Sequence, residues 1–457
     1  MSVKGKQYSY TEISKHNTEN DCWVAVDGKV YDITKWIGSH PGGKEILLLS
    51  AGRDVTNLFE SYHPMTDKPV EIIKKYEIGY LSSYELPRYV QKSKFYATLK
   101  EKVRAHFKAT DQDPQMAVGI FARLALVYIL IGLGYYLSHF LTRNLFFNMI
   151  LAVVYGMCQS LFALHMMHDT CHAAISHSPT VWKWLGASFD FFTGASLYAW
   201  NHQHVIGHHL YTNIRNADPD LGAGEIDFRI VTPFQPRSWY HKYQHIYAPI
   251  LYGLYTMKYR LQDNETFFKR VNGSIRVTNP STFDWAAYII GKISFLFFRF
   301  FVPLVILKWN VLDLIVCFLI TELYFGYYLT INFQVSHVAE DLKFYGTSTR
   351  PDEPAQINED WAILQVKTTQ DYGHGSLICN FFSGGLNHQV VHHLFPSIDQ
   401  EFYHQLVPIV KSVCQEFGVT YHHKKTFYEA IMSHINYLYK MGNDPDYVRK
   451  PLNSKQE

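Results

Sequence analysis

Residues 145–172 have the sequence LFFNMILAVVYGMCQSLFALHMMHDTCH, a long apolar run that ends in closely spaced histidines. Its apolar part, residues 145–167, is long enough as a helix to cross about 30 Å of hydrocarbon. His168 and His172 follow directly, and their i, i+4 spacing places both imidazoles on one face of a helix. The stretch therefore predicts a membrane span whose end carries two potential ligands of one metal.

Three more apolar runs have the length of a membrane span: residues 124–141, 285–307 and 311–335. Only residues 142–144 and 308–310 separate the members of each pair, which predicts two tight hairpins and four spans in all. Seven basic residues precede the first span, whereas each hairpin turn holds a single Arg or Lys. The positive-inside rule therefore predicts that the N- and C-termini are cytosolic and the turns luminal.

A fifth apolar stretch, residues 181–200, is predicted to lie at the membrane interface or to re-enter without crossing. It contains Lys183 and Asp190, and it separates two histidine clusters that could share a site only if both lie on one side of the membrane. The sequence therefore predicts four spans rather than five.

Three charged residues fall inside the second hairpin: Lys292, Arg299 and Glu322. A charge at the middle of a bilayer costs about 2.5–3.5 kcal/mol on insertion scales, so such residues face other helices and find partners. We expect these three to pair with one another; the alternative is a role in binding the substrate.

Two further histidine clusters complete a predicted metal site. The segment HVIGHH contains His204, His208 and His209, and the segment QVVHH begins at Gln389 and ends in His392 and His393. The i, i+4 spacing of His204 and His208 predicts that they share one metal, with His209 reaching a second. Imidazoles without cysteine suit iron, copper or zinc, but zinc needs only three or four ligands and no HExxH motif is present. We therefore predict two metals, best fitted by iron.

The first 80 residues carry a different motif, and they read as an α+β module. Two β-type runs flank Asp27-Gly28, which is a strong hairpin signal. His40 lies in the sequence HPGG, and His63 follows 23 residues later. Two histidines on opposite faces of a b-type haem leave the iron no open position, so such a module carries electrons. Residues 81–115 are predicted to be a basic connector, and residues 116–457 to form the membrane domain.

Composition excludes several other classes of protein. A net charge of +2 gives no strongly basic surface, so we predict no nucleic-acid partner. The six cysteines form no CxxC motif, which is typical of a reducing compartment and excludes a zinc ribbon or a redox dithiol. The first ten residues lack an apolar segment, so internal helices are expected to direct membrane insertion.

The motifs HDTCH, HVIGHH and QVVHH, together with the HPGG module, resemble those of the front-end fatty acid desaturases. Gln389 is the most specific feature of the resemblance, because most membrane desaturases have a histidine there. The wider text, including NHQHVIGHHLYTN and NADPDLG, looks closest to the Δ5 desaturases of social amoebae. The resemblance implies a cytochrome b5 domain followed by an all-α membrane domain with four transmembrane helices and a cytosolic di-iron cap.

The same resemblance implies cofactors, partners and ligands. It implies haem b on His40 and His63, two non-haem irons and O2 as cosubstrate. The substrate would be a fatty acyl chain on CoA or phospholipid, and NADH-cytochrome b5 reductase would supply electrons at the endoplasmic reticulum membrane. Gln389 would lie at or beside the metal, and the implied iron ligands are His168, His172, His204, His208, His209, His337, His392 and His393.

Three alternatives remain open on the sequence. The chain could be a Δ6 or Δ8 front-end desaturase of fatty acyl or sphingoid chains, because the shape of a substrate cavity is not readable from motif spacing. It could be a membrane acyl hydroxylase, since the same histidine motifs serve both reactions. A non-enzymatic, membrane-tethered electron carrier is the alternative from a different class.

Overall fold

The computed structural model describes residues 5–221, 228–232, 235–346 and 356–444. Its N-terminal module is built on six strands: β1 Gln7–Tyr8, β2 Asn17–Thr18, β3 Asp21–Val26, β4 Lys29–Asp32, β5 Arg53–Asp54 and β6 Glu77–Leu81. They form one mixed sheet in the order β1-β6-β4-β3-β2, with β5 parallel to β3. Asp27 and Gly28 join β3 to β4 with φ of 53° and 72°, the positive values that a tight two-residue hairpin turn requires.

Four short helices complete this module: Tyr10–Ile13, Lys44–Ser50, Thr56–Tyr62 and Lys68–Ile73. Between the sheet and the helices lies a cleft lined by apolar side chains, among them Val24, Leu49 and Leu58. The mixed sheet with its covering helices confirms the α+β prediction.

The segment predicted to be a polar connector contains a regular helix, Phe95–Thr110. Its basic residues surround one apolar stripe, whose four buried members recur at every fourth position: Phe95, Leu99, Val103 and Phe107. This spacing places them on one helix face, which packs against the helix Tyr403–Glu416. The connector is therefore part of the folded core.

Four helices among the described residues are long and apolar enough to cross a membrane, as predicted: Ile120–Phe140, Leu145–Cys171, Thr282–Ile306 and Val311–His337. We number them spans 1 to 4. Span 1 begins at Ile120 rather than at residue 124, and span 4 continues to His337. Spans 2 and 4 lie close together at Gly156, where a Cβ atom would be 2.8 Å from the carbonyl oxygen of Thr321.

The stretch predicted to lie at the interface forms a helix, Pro179–Thr193, which is not among the four spans. Its 15 residues cover about 22 Å at 1.5 Å each, too short to cross the hydrocarbon core. Gly194 ends it in the left-handed conformation. The helix packs on span 3, where a Cβ atom on Gly291 would lie 2.8 Å from the carbonyl oxygen of Asp190.

Short helices and strand pairs surround the histidine-bearing ends of spans 2 and 4. The α-helices are Leu197–Trp200, His209–Tyr211, Gln244–Leu251, Tyr255–Asn264, Trp361–Lys367, Leu377–Ser383, Gln389–Leu394, Tyr403–Glu416 and Phe427–Asn443. Asn201–His208 and Glu265–Lys269 are π-helical. The paired strands are Arg88–Tyr89 with Gln356–Ile357, Val271–Asn272 with Ile275–Arg276, and Asp371–Tyr372 with His423–Lys424. These elements form the predicted cap.

The charged residues of spans 3 and 4 do not all pair as expected. Glu322 is fully buried; it accepts a hydrogen bond from Nη2 of Arg299 at 3.2 Å and forms an ion pair with Arg260. Lys292 instead donates to Oδ2 of Asp263 at 2.6 Å. The prediction is right for Arg299 and Glu322 and wrong for Lys292, because the helix Tyr255–Asn264 packs beside the spans and supplies its own charges.

Candidate metal centre and haem pocket

The end of span 2 presents the first two histidines. Residues Ala163–Met167 form a turn of π-helix inside the span, and the helix then continues through His168 to Cys171. Such a π-turn changes the direction in which the side chains after it point, and π-turns occur often at functional sites. His168 and His172 are buried, with ring centroids 5.0 Å apart, so the predicted pair does face one site.

The second histidine cluster folds differently from the prediction. Asn201–His208 is π-helical, and a π-helix brings residues i and i+5 together rather than i and i+4. The Nε2 atoms of His204 and His209 are accordingly 3.2 Å apart. Nε2 of His208 instead lies 3.2 Å from Nε2 of His337, at the end of span 4. His204 and His208 also form a group with Asp220 whose potential ligand atoms lie within 4.8 Å of one another, so a metal shared by His204 and His208 stays a prediction beside these two pairings.

Eight buried histidines converge in two groups of side chains linked by a third. The first group comprises His168, His172, His204 and His392, and the second comprises His208, His337 and His393. His209 connects them, because it forms a further group with His392 and His393. In each group the potential ligand atoms all lie within 4.8 Å of one another. The structure thus brings together every histidine that the sequence singled out as a metal ligand.

The donor atoms fit metal ions. Nε2 of His168 lies 3.1 Å from Nε2 of His392. Two metal–nitrogen bonds of about 2.1 Å meeting at a right angle would place their nitrogens about 3.0 Å apart. The Nε2 atoms of His172 and His393 are buried and have no hydrogen-bond partner among the described residues. A pair of metal ions would satisfy both atoms.

Electrostatics keeps most of these imidazoles neutral, with lone pairs free for ligation. Burial, and then the neighbouring imidazoles, hold the pKa of His172, His204, His209, His392 and His393 well below the ordinary value. His208 differs from these five. Burial would lower its pKa, but the carboxylate of Asp218 overrides this and raises it.

Hydrogen bonds from outside the groups orient the rings. Nδ1 of His208 lies 3.1 Å from Oδ2 of Asp218, Nδ1 of His393 lies 2.8 Å from Oε1 of Gln365, and Nδ1 of His392 lies 3.1 Å from the hydroxyl of Tyr403. A partner on Nδ1 fixes the tautomer that leaves Nε2 free for a metal. None of these three partners was predicted from the sequence. Asp218 alone lies in a segment quoted for the family resemblance, NADPDLG.

Gln389 lies beside the second group of histidines. Its side-chain amide is 2.9 Å from Nε2 of His337, and its Oε1 atom is buried without a partner among the described residues. The adjacent His388 faces elsewhere and stacks on His374 with ring centroids 5.1 Å apart. His165, one turn before His168, is held outside the groups by its contact with the carbonyl oxygen of Phe381 at 2.8 Å.

The cleft of the N-terminal module is a second candidate cofactor site. The rings of His40 and His63 face each other across it with centroids 6.3 Å apart. Two iron–nitrogen bonds of about 2 Å, plus about 1.1 Å from each nitrogen to its ring centre, give roughly the same separation. The cavity has a volume of about 470 Å³ and is predominantly apolar, as a porphyrin requires.

Local contacts prepare both haem ligands. Nδ1 of His40 lies 3.1 Å from the carbonyl oxygen of Gly43, and Nδ1 of His63 lies 2.8 Å from that of Phe59. Each Nε2 atom is thereby left for the iron. Burial lowers the pKa of both histidines and keeps them neutral. A Cβ atom on Gly42 would lie 2.8 Å from the His40 ring, so a larger residue at this position of the HPGG motif would collide with the haem ligand.

Comparison with known proteins places both parts of the chain in known families. Residues 144–425 match the fatty acid desaturase family, and residues 9–82 match the cytochrome b5-like heme/steroid binding domain. Delta(5) fatty acid desaturase A of Dictyostelium discoideum is 73% identical over 456 residues, which cover 100% of this chain and 98% of that protein. Acyl-lipid (8-3)-desaturase of Mortierella alpina is 39% identical, over 97% of this chain and 98% of its own.

The fold and the sites thus define an integral membrane oxidoreductase with a histidine-rich centre and a fused haem domain. The chain belongs to the fatty acid desaturase family, in the front-end branch whose members carry their own cytochrome b5 electron donor. This confirms the resemblance seen in the sequence and excludes the non-enzymatic electron carrier.

Proposed function

We propose that the chain is a Δ5 front-end desaturase, which inserts a cis double bond between an existing double bond and the carboxyl end of a fatty acyl chain. The carrying observation is the 73% identity, over 100% of this chain, to a Delta(5) fatty acid desaturase. Acyl-lipid (8-3)-desaturase B of Dictyostelium discoideum, 63% identical over 98% of this chain, supports the same assignment. Δ6 and Δ8 selectivity and hydroxylation are the outcomes that compete with it.

Eight histidines would hold two irons: His168, His172, His204 and His392 on one side, His208, His337 and His393 on the other, and His209 between them. Two bound irons supply the activation of O2 that removal of unactivated hydrogens requires. The acyl chain loses two hydrogens, and O2 is reduced to two waters by those hydrogens, two external electrons and two protons. The chain's own residues orient the imidazoles and exclude water, since all eight side chains are buried.

Haem b on His40 and His63 would deliver the two electrons one at a time. We infer that NADH-cytochrome b5 reductase reduces this haem, because a haem without an open coordination position needs an external donor. The acyl carrier, CoA or phospholipid, is part of the test below.

Expression in a host without polyunsaturated fatty acids tests the proposal. Candidate acyl chains that differ in their existing double bonds are fed, and the new double bond is located by mass spectrometry in the phospholipid and CoA pools. A new Δ5 bond supports the proposal. A bond at Δ6 or Δ8, a hydroxylated product, or no product with an iron-loaded, haem-loaded enzyme would overturn it.

We infer that the protein lies in the endoplasmic reticulum membrane with both termini cytosolic. The two short turns and the interfacial helix Pro179–Thr193 support this topology. A flexible insert carrying a glycosylation acceptor is expected to be glycosylated at residues 142–144 or 308–310. The same insert at His177, which is exposed between the first histidine cluster and that helix, should stay unmodified. Glycosylation at His177 would contradict a shared site on one side of the membrane.

The position of Gln389 predicts a selective loss of activity. Replacing it with alanine is expected to lower product yield about 10- to 100-fold, the usual cost of losing a polar group that supports a metal ligand. Iron and haem per chain should stay unchanged, because the eight histidines remain. Gln389→His should also impair turnover and change the Mössbauer spectrum of one iron, since an imidazole binds more strongly than an amide.

Gln405→Ala is the matched control for this pair, because Gln405 bonds His106 away from both histidine groups. It should leave product yield at the wild-type level. Near-normal turnover by Gln389→Ala would show that Gln389 does not support the reaction.

A further inference from the structure

We infer that Tyr62 is the contact through which electrons pass from the haem pocket to the histidine centre. Its phenolic oxygen lies 2.6 Å from Nδ1 of His172. Tyr62 directly precedes His63 in the chain, and His172 belongs to the first group of histidines. The haem ligand and the metal ligand are thus joined by one peptide bond, one side chain and one hydrogen bond. This inference rests on the proposed haem and iron ligands.

The haem cleft itself reaches the desaturase domain. Its wall on one side is formed by residues of the N-terminal module, among them Trp36 and Phe59. The other side is formed by Cys171, His172 and Trp182, which belong to the membrane domain. The cavity that fits the porphyrin therefore lies directly against the residue that Tyr62 contacts.

The hydrogen bond has a defined direction when the sites are loaded. Nε2 of His172 is buried and free for a metal, so the neutral ring carries its proton on Nδ1. That N–H donates to the phenolic oxygen of Tyr62. An electron that left ferrous haem on His40 and His63 would reduce one ferric iron held by the histidine groups, and Tyr62 would serve as the contact between the two sites.

The N-terminal module is held against the membrane domain by close packing, an ion pair and a buried hydrogen bond. The backbone of Gly43 approaches the interfacial helix so closely that a Cβ atom there would lie 2.8 Å from Cβ of Pro179. Glu45 forms an ion pair with Lys183 on the same helix. Arg53 is buried and its Nη2 atom donates to the carbonyl oxygen of Arg276 at 3.0 Å. These contacts fix the module with its cleft against His172.

Tyr62→Phe in the full-length, haem- and iron-loaded protein tests the inference. The ring remains to fill the interface, and only the hydroxyl is removed. The haem is reduced without oxygen, the protein is mixed with O2 and an acyl substrate, and haem absorbance is followed by stopped flow. Reoxidation is expected to slow about 10-fold, the lower end of the effect of removing a hydrogen-bond partner from a metal ligand. Iron per chain, haem per chain and the haem midpoint potential should stay unchanged.

Tyr89→Phe is the matched control. The hydroxyl of Tyr89 also makes a hydrogen bond to the membrane domain, donating to the carbonyl oxygen of Leu210 at 2.5 Å, but it contacts neither histidine group. The haem of the Tyr89→Phe variant should be reoxidised at the wild-type rate. Unchanged reoxidation in Tyr62→Phe would overturn the inference, as would a slower rate explained entirely by lost iron. Absence of iron from the wild-type protein would instead refute the proposed ligand assignment.

Discussion

Replacing His392 with alanine is expected to remove bound iron and abolish desaturation. His392 belongs both to the first group of histidines and to the group that contains His209 and His393. Its Nε2 atom lies 3.1 Å from that of His168, and its Nδ1 atom is held by Tyr403 at 3.1 Å. Losing a hydrogen-bond partner of a metal ligand costs about 10- to 100-fold in affinity or activity, so loss of His392 itself, a member of the first group and of the linking group, should cost more.

Iron per chain by elemental analysis and product yield are the measurements. Haem absorbance should be intact, because His392 does not line the cleft that contains His40 and His63. His388→Ala is the matched control, since His388 is a buried histidine of the same segment that stacks on His374 outside both groups. Full iron content in His392→Ala would show that His392 is not a ligand.

Glu322→Leu is expected to lower the free energy of unfolding more than any single change on the protein surface. Glu322 is the shared partner of Arg299 and Arg260, and neither arginine loses its charge when the carboxylate is removed. Removing one partner of a buried ion pair costs about 3–5 kcal/mol, because it leaves an uncompensated buried charge.

Unfolding of the purified protein in detergent measures this cost. Glu85→Leu serves as the control, because the pair between Glu85 and Arg276 is nearly half exposed and such a pair contributes about 0–1 kcal/mol. A loss in Glu322→Leu no larger than in Glu85→Leu would mean that the two arginines find other partners.

The spans and seven of the eight converging histidines were predictable from the sequence, because both depend on local information. A run of some twenty apolar residues is long enough to cross the membrane as a helix, and closely spaced histidines are visible as motifs. His337 lies in no such motif and was expected only from the family resemblance. The pairing of the histidines was not predictable in this way. It depends on the π-helix Asn201–His208, whose extra residue per turn moves His209 next to His204 and turns His208 toward His337.

Partners that are distant in the chain could not be predicted from the sequence either. Lys292 pairs with Asp263 rather than with Glu322 because the helix Tyr255–Asn264, which contains Asp263, packs beside the spans. Tyr62 gave no signal as more than a residue next to a haem ligand, since its partner His172 lies 110 positions away. The buried stripe of Phe95–Thr110 was readable as an i, i+4 pattern, but its basic neighbours obscured it.

The close seating of Gly43 on Pro179 and of Arg53 on the carbonyl of Arg276 has a kinetic consequence. A donor that is both tethered and docked has an effective concentration set by the fold rather than by how many copies share the membrane. Delivery of each electron is then a first-order event within one molecule. Diluting the enzyme in lipid should leave that step unaffected, and a freely diffusing donor would find the same face already covered.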